Sequence, residues 1–130
     1  MKEVTAAILF RENKILIARR KLTDNQGGKW EFPGGKLQGD ETPRECLARE
    51  MKEEFGITVS VGEFFAESRY RYDHRTIKLL AYRTEWIDGE FSLNAHADCR
   101  WVEPSQLDDF DFAEADIAFV KLLQQVAAML

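Results

Sequence analysis

Gly34-Gly35-Lys36-Leu37-Gln38-Gly39-Asp40-Glu41-Thr42-Pro43-Arg44-Glu45-Cys46-Leu47-Ala48-Arg49-Glu50-Met51-Lys52-Glu53-Glu54-Phe55-Gly56-Ile57 reads as a glycine-containing loop running into a helix. Thr42 has the chemistry of an N-cap, Pro43 suits the first helical position, and Glu45 stands three residues after Thr42, where its carboxylate can return the cap's hydrogen bond. Gly56 supplies the stop. Leu47, Ala48, Met51 and Phe55 recur at spacings of three and four, which makes one stripe apolar and turns it toward a core. Glu50, Glu53 and Glu54 recur at the same spacing on another face. Side chains so spaced have Cβ atoms roughly 5 to 6 Å apart, so three carboxylates held there repel one another unless cations lie among them. Oxygen-only donor sets of this kind suit Mg²⁺ or Mn²⁺, and no Cys/His set points to zinc. Taken alone, a glutamate-rich helix face is a solvated surface, and Glu45 with Arg49 and Arg49 with Glu53 are helix-supporting pairs four apart. Its place directly after a glycine loop is what sets this face apart.

Gly35, then Glu41, then Arg49-Glu50-Met51-Lys52-Glu53-Glu54-Phe55-Gly56-Ile57 resembles a complete Nudix box, and Trp30-Glu31-Phe32-Pro33-Gly34-Gly35-Lys36 resembles the lead-in of MutT-like members. The resemblance implies an α/β fold, the Nudix α/β/α sandwich, with a mixed β-sheet between the box helix and a C-terminal helix. It implies a Mg²⁺-dependent hydrolase (Mn²⁺ as the alternative ion) of nucleoside diphosphate derivatives. Metal ligands would be Glu50, Glu53, Glu54 and the Gly34 carbonyl. Glu53 is the leading candidate to contact the attacking water, and Arg49 is expected to pair with Glu41 and orient Glu50.

The remaining chain extends this reading. Its 130 residues fit one domain, 1–130, with enough length for a core. A 45% hydrophobic and 32% charged content is that of a soluble globular protein, and the net charge of −5 argues against stable nucleic-acid binding. No apolar run approaches the length of a membrane span, and the start carries no secretory pattern. Cys46 and Cys99 form no metal or redox spacing, so two free thiols in a reducing cytoplasm are expected, in a monomer or homodimer.

Val4–Phe10 and Lys14–Arg20 read as a hairpin around Arg11-Glu12-Asn13. Arg20 closes the second strand, either as a solvated strand end or, by resemblance, as a phosphate or base contact. Residues 21–29 form a polar loop. Of Trp30 and Phe32, at least one is expected in the core, and Phe32 is a candidate to stack on a base. Lys36 is either an exposed loop lysine or a phosphate partner. Thr58–Tyr72 and Thr76–Trp86 are long β-rich runs, with Arg69 and Arg71 facing water or, as the second reading, lining a groove, and Glu90–Leu93 reads as a further short strand. A strand starts near Arg100. His74 is a solvated turn residue, and Asp98 is the nearest carboxylate for a supporting acid, since Arg100 stands where relatives often carry one. Pro104–Leu107 is a helical turn. Apolar residues at 119, 120, 123, 126, 127 and 130 make a stripe on a C-terminal helix.

Asp116 has two readings: a negative charge at a helix N-terminus, or a base-reading carboxylate, as in the CTP pyrophosphohydrolase branch that the Ala-Asp-Ile-Ala pattern resembles. Glu114 stands where the branch preferring 8-oxo-guanine carries an asparagine. The substrate expected is a (d)NTP, either CTP-like or an oxidised purine such as 8-oxo-dGTP, cleaved to NMP and pyrophosphate. The alternatives are ADP-ribose, a dinucleoside polyphosphate or an RNA cap as substrate, and a nucleotide-sensing module without turnover.

Overall fold

A computed structural model describes residues 1–128, the last of them in backbone only. Its six strands are β1 (Lys2–Arg11), β2 (Lys14–Arg19), β3 (Trp30–Glu31), β4 (Thr58–Tyr72), β5 (Arg75–Asp88) and β6 (Asp98–Val102). Helix α1 (Pro43–Phe55) and helix α2 (Glu114–Ala128) complete the fold with a 3₁₀ turn over Pro104–Asp109. The strands make one mixed sheet in the order β3-β2-β1-β5-β4, with β6 on the other edge of β2. β1 and β5 are parallel; the other pairs are antiparallel.

Both faces of the sheet are covered, which is why β1 and β2 are unbroken apolar runs rather than alternating ones. Ala6, Ile8, Ile15 and Ile17 pack with Phe119, Val120 and Leu123 of α2, while Ala7, Leu9, Leu16 and Ala18 pack with Leu47, Met51 and Phe55 of α1. Period-two alternation thus feeds two cores from the same strands. The expected α/β/α sandwich is what forms.

The β1–β2 hairpin stays paired only at its tip, at Phe10↔Ile15 and Arg11↔Lys14, and then splays. The gap is filled by β3 and the loop after it. Ala18 and Arg19 pair with Glu31 and Trp30 from one side, and the amides of Thr5 and Ala7 donate to the carbonyls of Gly35 and Pro33 from the other. The glycine loop is therefore wedged between two strands.

Several expectations are corrected. Residues 90–93 are not a strand, because their backbone serves α1: the amides of Ser92 and Asn94 donate to the carbonyls of Phe55 and Glu54, two of the groups a helix end leaves without partners. Strand β6 starts at Asp98 rather than near Arg100, while helix α2 starts at Glu114 and so holds Asp116 in its first turn, where one of its two readings puts it. The α2 stripe stops at Leu123, since Val126 and Ala127 are exposed; Leu130 lies outside the described residues. Of their two readings, Arg69 and Arg71 take the solvent-facing one.

Candidate active site

Helix α1 starts with the expected capping box: the Glu45 amide donates to Thr42 Oγ1 at 3.2 Å, and Glu45 Oε1 accepts from the Thr42 amide at 2.9 Å. Gly56 ends it at φ 70°, a left-handed conformation that glycine adopts without strain. The glycine loop before it is held against β1 by contact. A β-carbon on Gly34 would meet the Thr5 carbonyl oxygen at 2.0 Å, so only glycine lets the loop approach β1 this closely. Because the carbonyls of Pro33 and Gly35 both accept from β1, the extended chain turns the Gly34 carbonyl away from that strand.

Arg49 is the hub of the acidic cluster. Its Nε and Nη2 donate to Glu41 at 2.6 and 2.9 Å, its Nη1 to Glu50 at 2.8 Å and Glu53 at 3.1 Å, and its Nη2 also to the Lys36 carbonyl at 3.1 Å. The forked pair with Glu41 is the bidentate geometry that only a guanidinium offers. It holds the Glu41 carboxyl down at about 2, chiefly by hydrogen bonding. Glu50 experiences the reverse, since burial raises its pKa more than Arg49 lowers it.

Glu54 is the most constrained of the three. Burial, then the charges of Glu31 and Glu50, push its pKa up to about 9, and its Oε1 is buried with no hydrogen-bond partner. A buried acceptor without a donor, among carboxylates, costs stability unless a proton or cation is supplied. This donor set fits a hard divalent ion. Among the described residues, however, no three acidic side chains converge tightly enough to grip one as they stand, because Glu50 and Glu53 are turned to Arg49.

Beside the cluster runs a groove of about 440 Å³ whose lining includes Arg20, Glu31, Lys36, Tyr72 and Asp116. Arg20 and Glu31 stand where groove and cluster meet: they pair at 3.0 Å, and the Glu31 charge raises the pKa of both Glu54 and Asp116, second only to burial. Lys36 sits near Lys2, Arg75 and Arg20, and chiefly through Lys2 its pKa is lowered. A cationic wall of this kind suits a polyphosphate. At the other end Asp116 is 5% exposed; one carboxyl oxygen accepts from the Phe32 amide at 3.0 Å, and burial raises its pKa well above the usual range. Asp116 thus lies in the first turn of α2 with its carboxyl turned into the buried end of the groove.

The structure thus gathers Arg49, Glu50, Glu53 and Glu54 on one helix face and Arg20, Lys36 and Asp116 on the groove wall. Phe32 is different. Its ring stacks on Phe112 at 5.3 Å and meets Phe119 edge-on, 3% exposed, so its side chain is core and only its amide reaches Asp116. Asp98 is spent on the Cys99 amide and Arg100. Two site residues escaped sequence reasoning: Glu31, and His96, whose Nε2 lies 2.9 Å from Glu31 Oε2.

The family model for the NUDIX domain matches residues 1–123. The chain belongs to the Nudix hydrolase family. Among Nudix relatives it is 37% identical over 128 residues to the CTP pyrophosphohydrolase of Escherichia coli K12, covering 98% of this chain and 95% of that one. It is 30% identical to the 8-oxo-dGTP diphosphatase of the same strain, over 95% and 97% of the two chains. The solution structure of the E. coli ORF135 protein superposes with a TM-score of 0.85 at 37% identity, covering 99% and 92%. The MutT protein of Methanosarcina mazei Go1 has the same TM-score at 23% identity, over 97% and 94%, and shares the Nudix fold.

Proposed function

We propose that this single-domain protein, residues 1–130, is a nucleoside triphosphate pyrophosphohydrolase that uses Mg²⁺, or Mn²⁺ in its place, to convert a (d)NTP and water into the NMP and pyrophosphate. The observation that carries this reading is the meeting of two features at Arg20 and Glu31: a face of box carboxylates with an unpartnered buried oxygen on Glu54, and a cation-walled groove ending in buried Asp116. Glu50, Glu53, Glu54 and the Gly34 carbonyl would hold the metal. Bound there, a divalent ion would lower the pKa of water and offset charge in the transition state.

The chain's own groups have separable tasks. Glu53, with its side chain 58% exposed, is the most open of the three glutamates and takes the proton of the attacking water. Arg49 fixes the direction of Glu50. Arg20 and Lys36 neutralise the phosphates from the groove wall, and Asp116 reads the base. The relatives named above act on CTP and on 8-oxo-dGTP, and these two nucleotide types are the substrates proposed here. No helix among the described residues is long and apolar enough to cross a membrane, and both cysteines are free, which supports work in a reducing cytoplasm on a small soluble substrate.

The test is a panel of (d)NTPs, 8-oxo-dGTP, ADP-ribose and dinucleoside polyphosphates with Mg²⁺, scored for pyrophosphate against orthophosphate release. Pyrophosphate from one or two (d)NTPs is expected, with most of it lost in Glu53→Gln while the fold is retained. Equal rates in wild type and Glu53→Gln would remove the site assignment.

A further inference from the structure

Strand β3 is two residues long, and its second residue carries a carboxylate engaged from both sides. Glu31 Oε1 accepts from Arg20 Nη1 at 3.0 Å, and Glu31 Oε2 meets His96 Nε2 at 2.9 Å. His96 is 6% exposed, and its ring lies flat on Phe55, with centroids 5.4 Å apart and planes 8° apart. Phe55 is the last residue of α1 and fully buried. A core-anchored imidazole therefore holds a carboxylate, and that carboxylate holds the arginine of the groove wall.

Resting on the hydrolase reading above, we infer that Glu31 is a positioning residue that aims Arg20 at the substrate's phosphates, and that His96 is the buried strut that fixes Glu31. The cost of His96 is the first argument. A phenyl ring would stack on Phe55 as well as an imidazole does, without burying polar nitrogens, and Nδ1 of His96 has no hydrogen-bond partner. What the imidazole adds is an Nε2–H aimed at Glu31, which sets its tautomer.

Geometry supplies the second argument. Arg20 is also tied through Nε to the Asn25 carbonyl, so its guanidinium is held at two points while its side chain stays 30% exposed to the groove. A guanidinium has five N–H donors, and these two ties leave others for phosphate oxygens. An arginine fixed before substrate arrives loses less entropy on binding than one swinging in solvent. Glu31 faces both the box glutamates and Asp116, and its anchorage keeps Arg20 between the two ends of the site.

The test uses His96→Phe, which keeps the stack on Phe55 and deletes the donor, together with Arg20→Ala and the double variant. With the preferred nucleotide, His96→Phe should raise KM about tenfold and change kcat much less, the pattern of a lost binding contact. The double variant should be no worse than Arg20→Ala alone, because both act through one chain of contacts. In the nucleotide-free protein, the Arg20 side-chain Nε–H resonance should be sharp and exchange-protected in wild type and broadened in His96→Phe. Glu31→Gln, which does not disturb the buried ring, should move KM and the resonance in the same directions and serves if His96→Phe fails to fold. An unmoved resonance with unmoved KM, or losses that add in the double variant, would overturn the strut; so would a lower melting temperature with neither readout changed. Failure of the hydrolase reading looks different, as wild-type protein that turns over no nucleoside triphosphate while the Arg20 resonance still responds to His96→Phe.

Discussion

The carboxylate of Glu50 lies directly on Gly35: a β-carbon built on that glycine would stand 2.3 Å from the carboxyl carbon and 2.6 Å from each oxygen. The glycine is required here for space rather than for its backbone angles. Gly35→Ala must push Glu50 outward or lift the loop from β1, and a displacement of about 1 Å in a catalytic group costs on the order of a hundredfold in rate. We expect such a loss in kcat, with weaker Mn²⁺ binding measured by electron paramagnetic resonance of the free ion. Activity within about threefold of wild type would show that the Glu50 carboxylate swings aside without cost to the reaction.

Glu54 predicts a pH dependence of stability. Its ordinary pKa is 4.5, but in the fold it keeps its proton up to about 9. Between those values the folded chain binds more protons than the unfolded one, so the stability this carboxyl permits is whole below 4.5 and drains as pH rises through about 9. In chelator, the melting temperature should fall from about pH 6 to about pH 9, and Glu54→Gln should flatten that slope. Added Mg²⁺ should raise the wild-type curve most at high pH, because metal and proton compete for the same oxygens. A wild-type slope identical to that of Glu54→Gln would refute the assignment.

Arg49→Lys keeps the charge and loses the fork to Glu41. Residues that orient metal-binding groups typically matter by about 10- to 100-fold in affinity or activity, and a loss in that range is expected. The acid limb should change too. Glu41 is held at about 2 by Arg49, so its contribution is present above 4.5 and is lost as pH falls toward 2. The acid unfolding midpoint of Arg49→Lys should therefore rise, as followed by circular dichroism.

Asp116→Asn keeps an oxygen for the Phe32 amide and removes a carboxyl that resists ionisation. It should be at least as stable as wild type near about pH 8, where burial works against the charged form. Its kcat/KM values for CTP, dCTP, UTP and 8-oxo-dGTP should be reordered, with ratios shifted by about tenfold or more, since a buried group left without its hydrogen bond costs about 1–3 kcal/mol. A uniform drop across all four would assign Asp116 to positioning the Phe32 backbone alone.

Much of this was legible in the residues. The box helix, its caps and its apolar stripe follow from periodicity and cap chemistry, the first hairpin from its apolar runs, and the sandwich from the resemblance to Nudix proteins. What escaped has physical reasons. Strand β3 is too short to show a period, and its partners come from residues 18–19 and 111–113. One signal was present all the same: Trp30 and Phe32 flank Glu31, so if both aromatics enter one core, alternation sends the glutamate to the other side. Residues 90–93 look like a strand because apolar and polar residues alternate there, but the carbonyls at the end of α1 claim their amides. Nearness to the glycines makes Phe32 a stacking candidate, but the aromatic partners that bury it lie on a segment 80 residues on, at Phe112, and on α2.

The wedge of β3 between the splayed strands has a consequence for the order in which the molecule is made. Its outer support arrives last: the Trp30 amide and carbonyl bond to Asp111 and Ala113, and the Phe32 amide to Asp116. On the ribosome, the box helix and its glutamates emerge well before these partners, while β1 waits for residues 77–84 to complete its parallel pairing. The face of box glutamates is therefore synthesised early but stands beside an unfinished groove, whose Asp116 end is in place only when the carboxy-terminal segment docks.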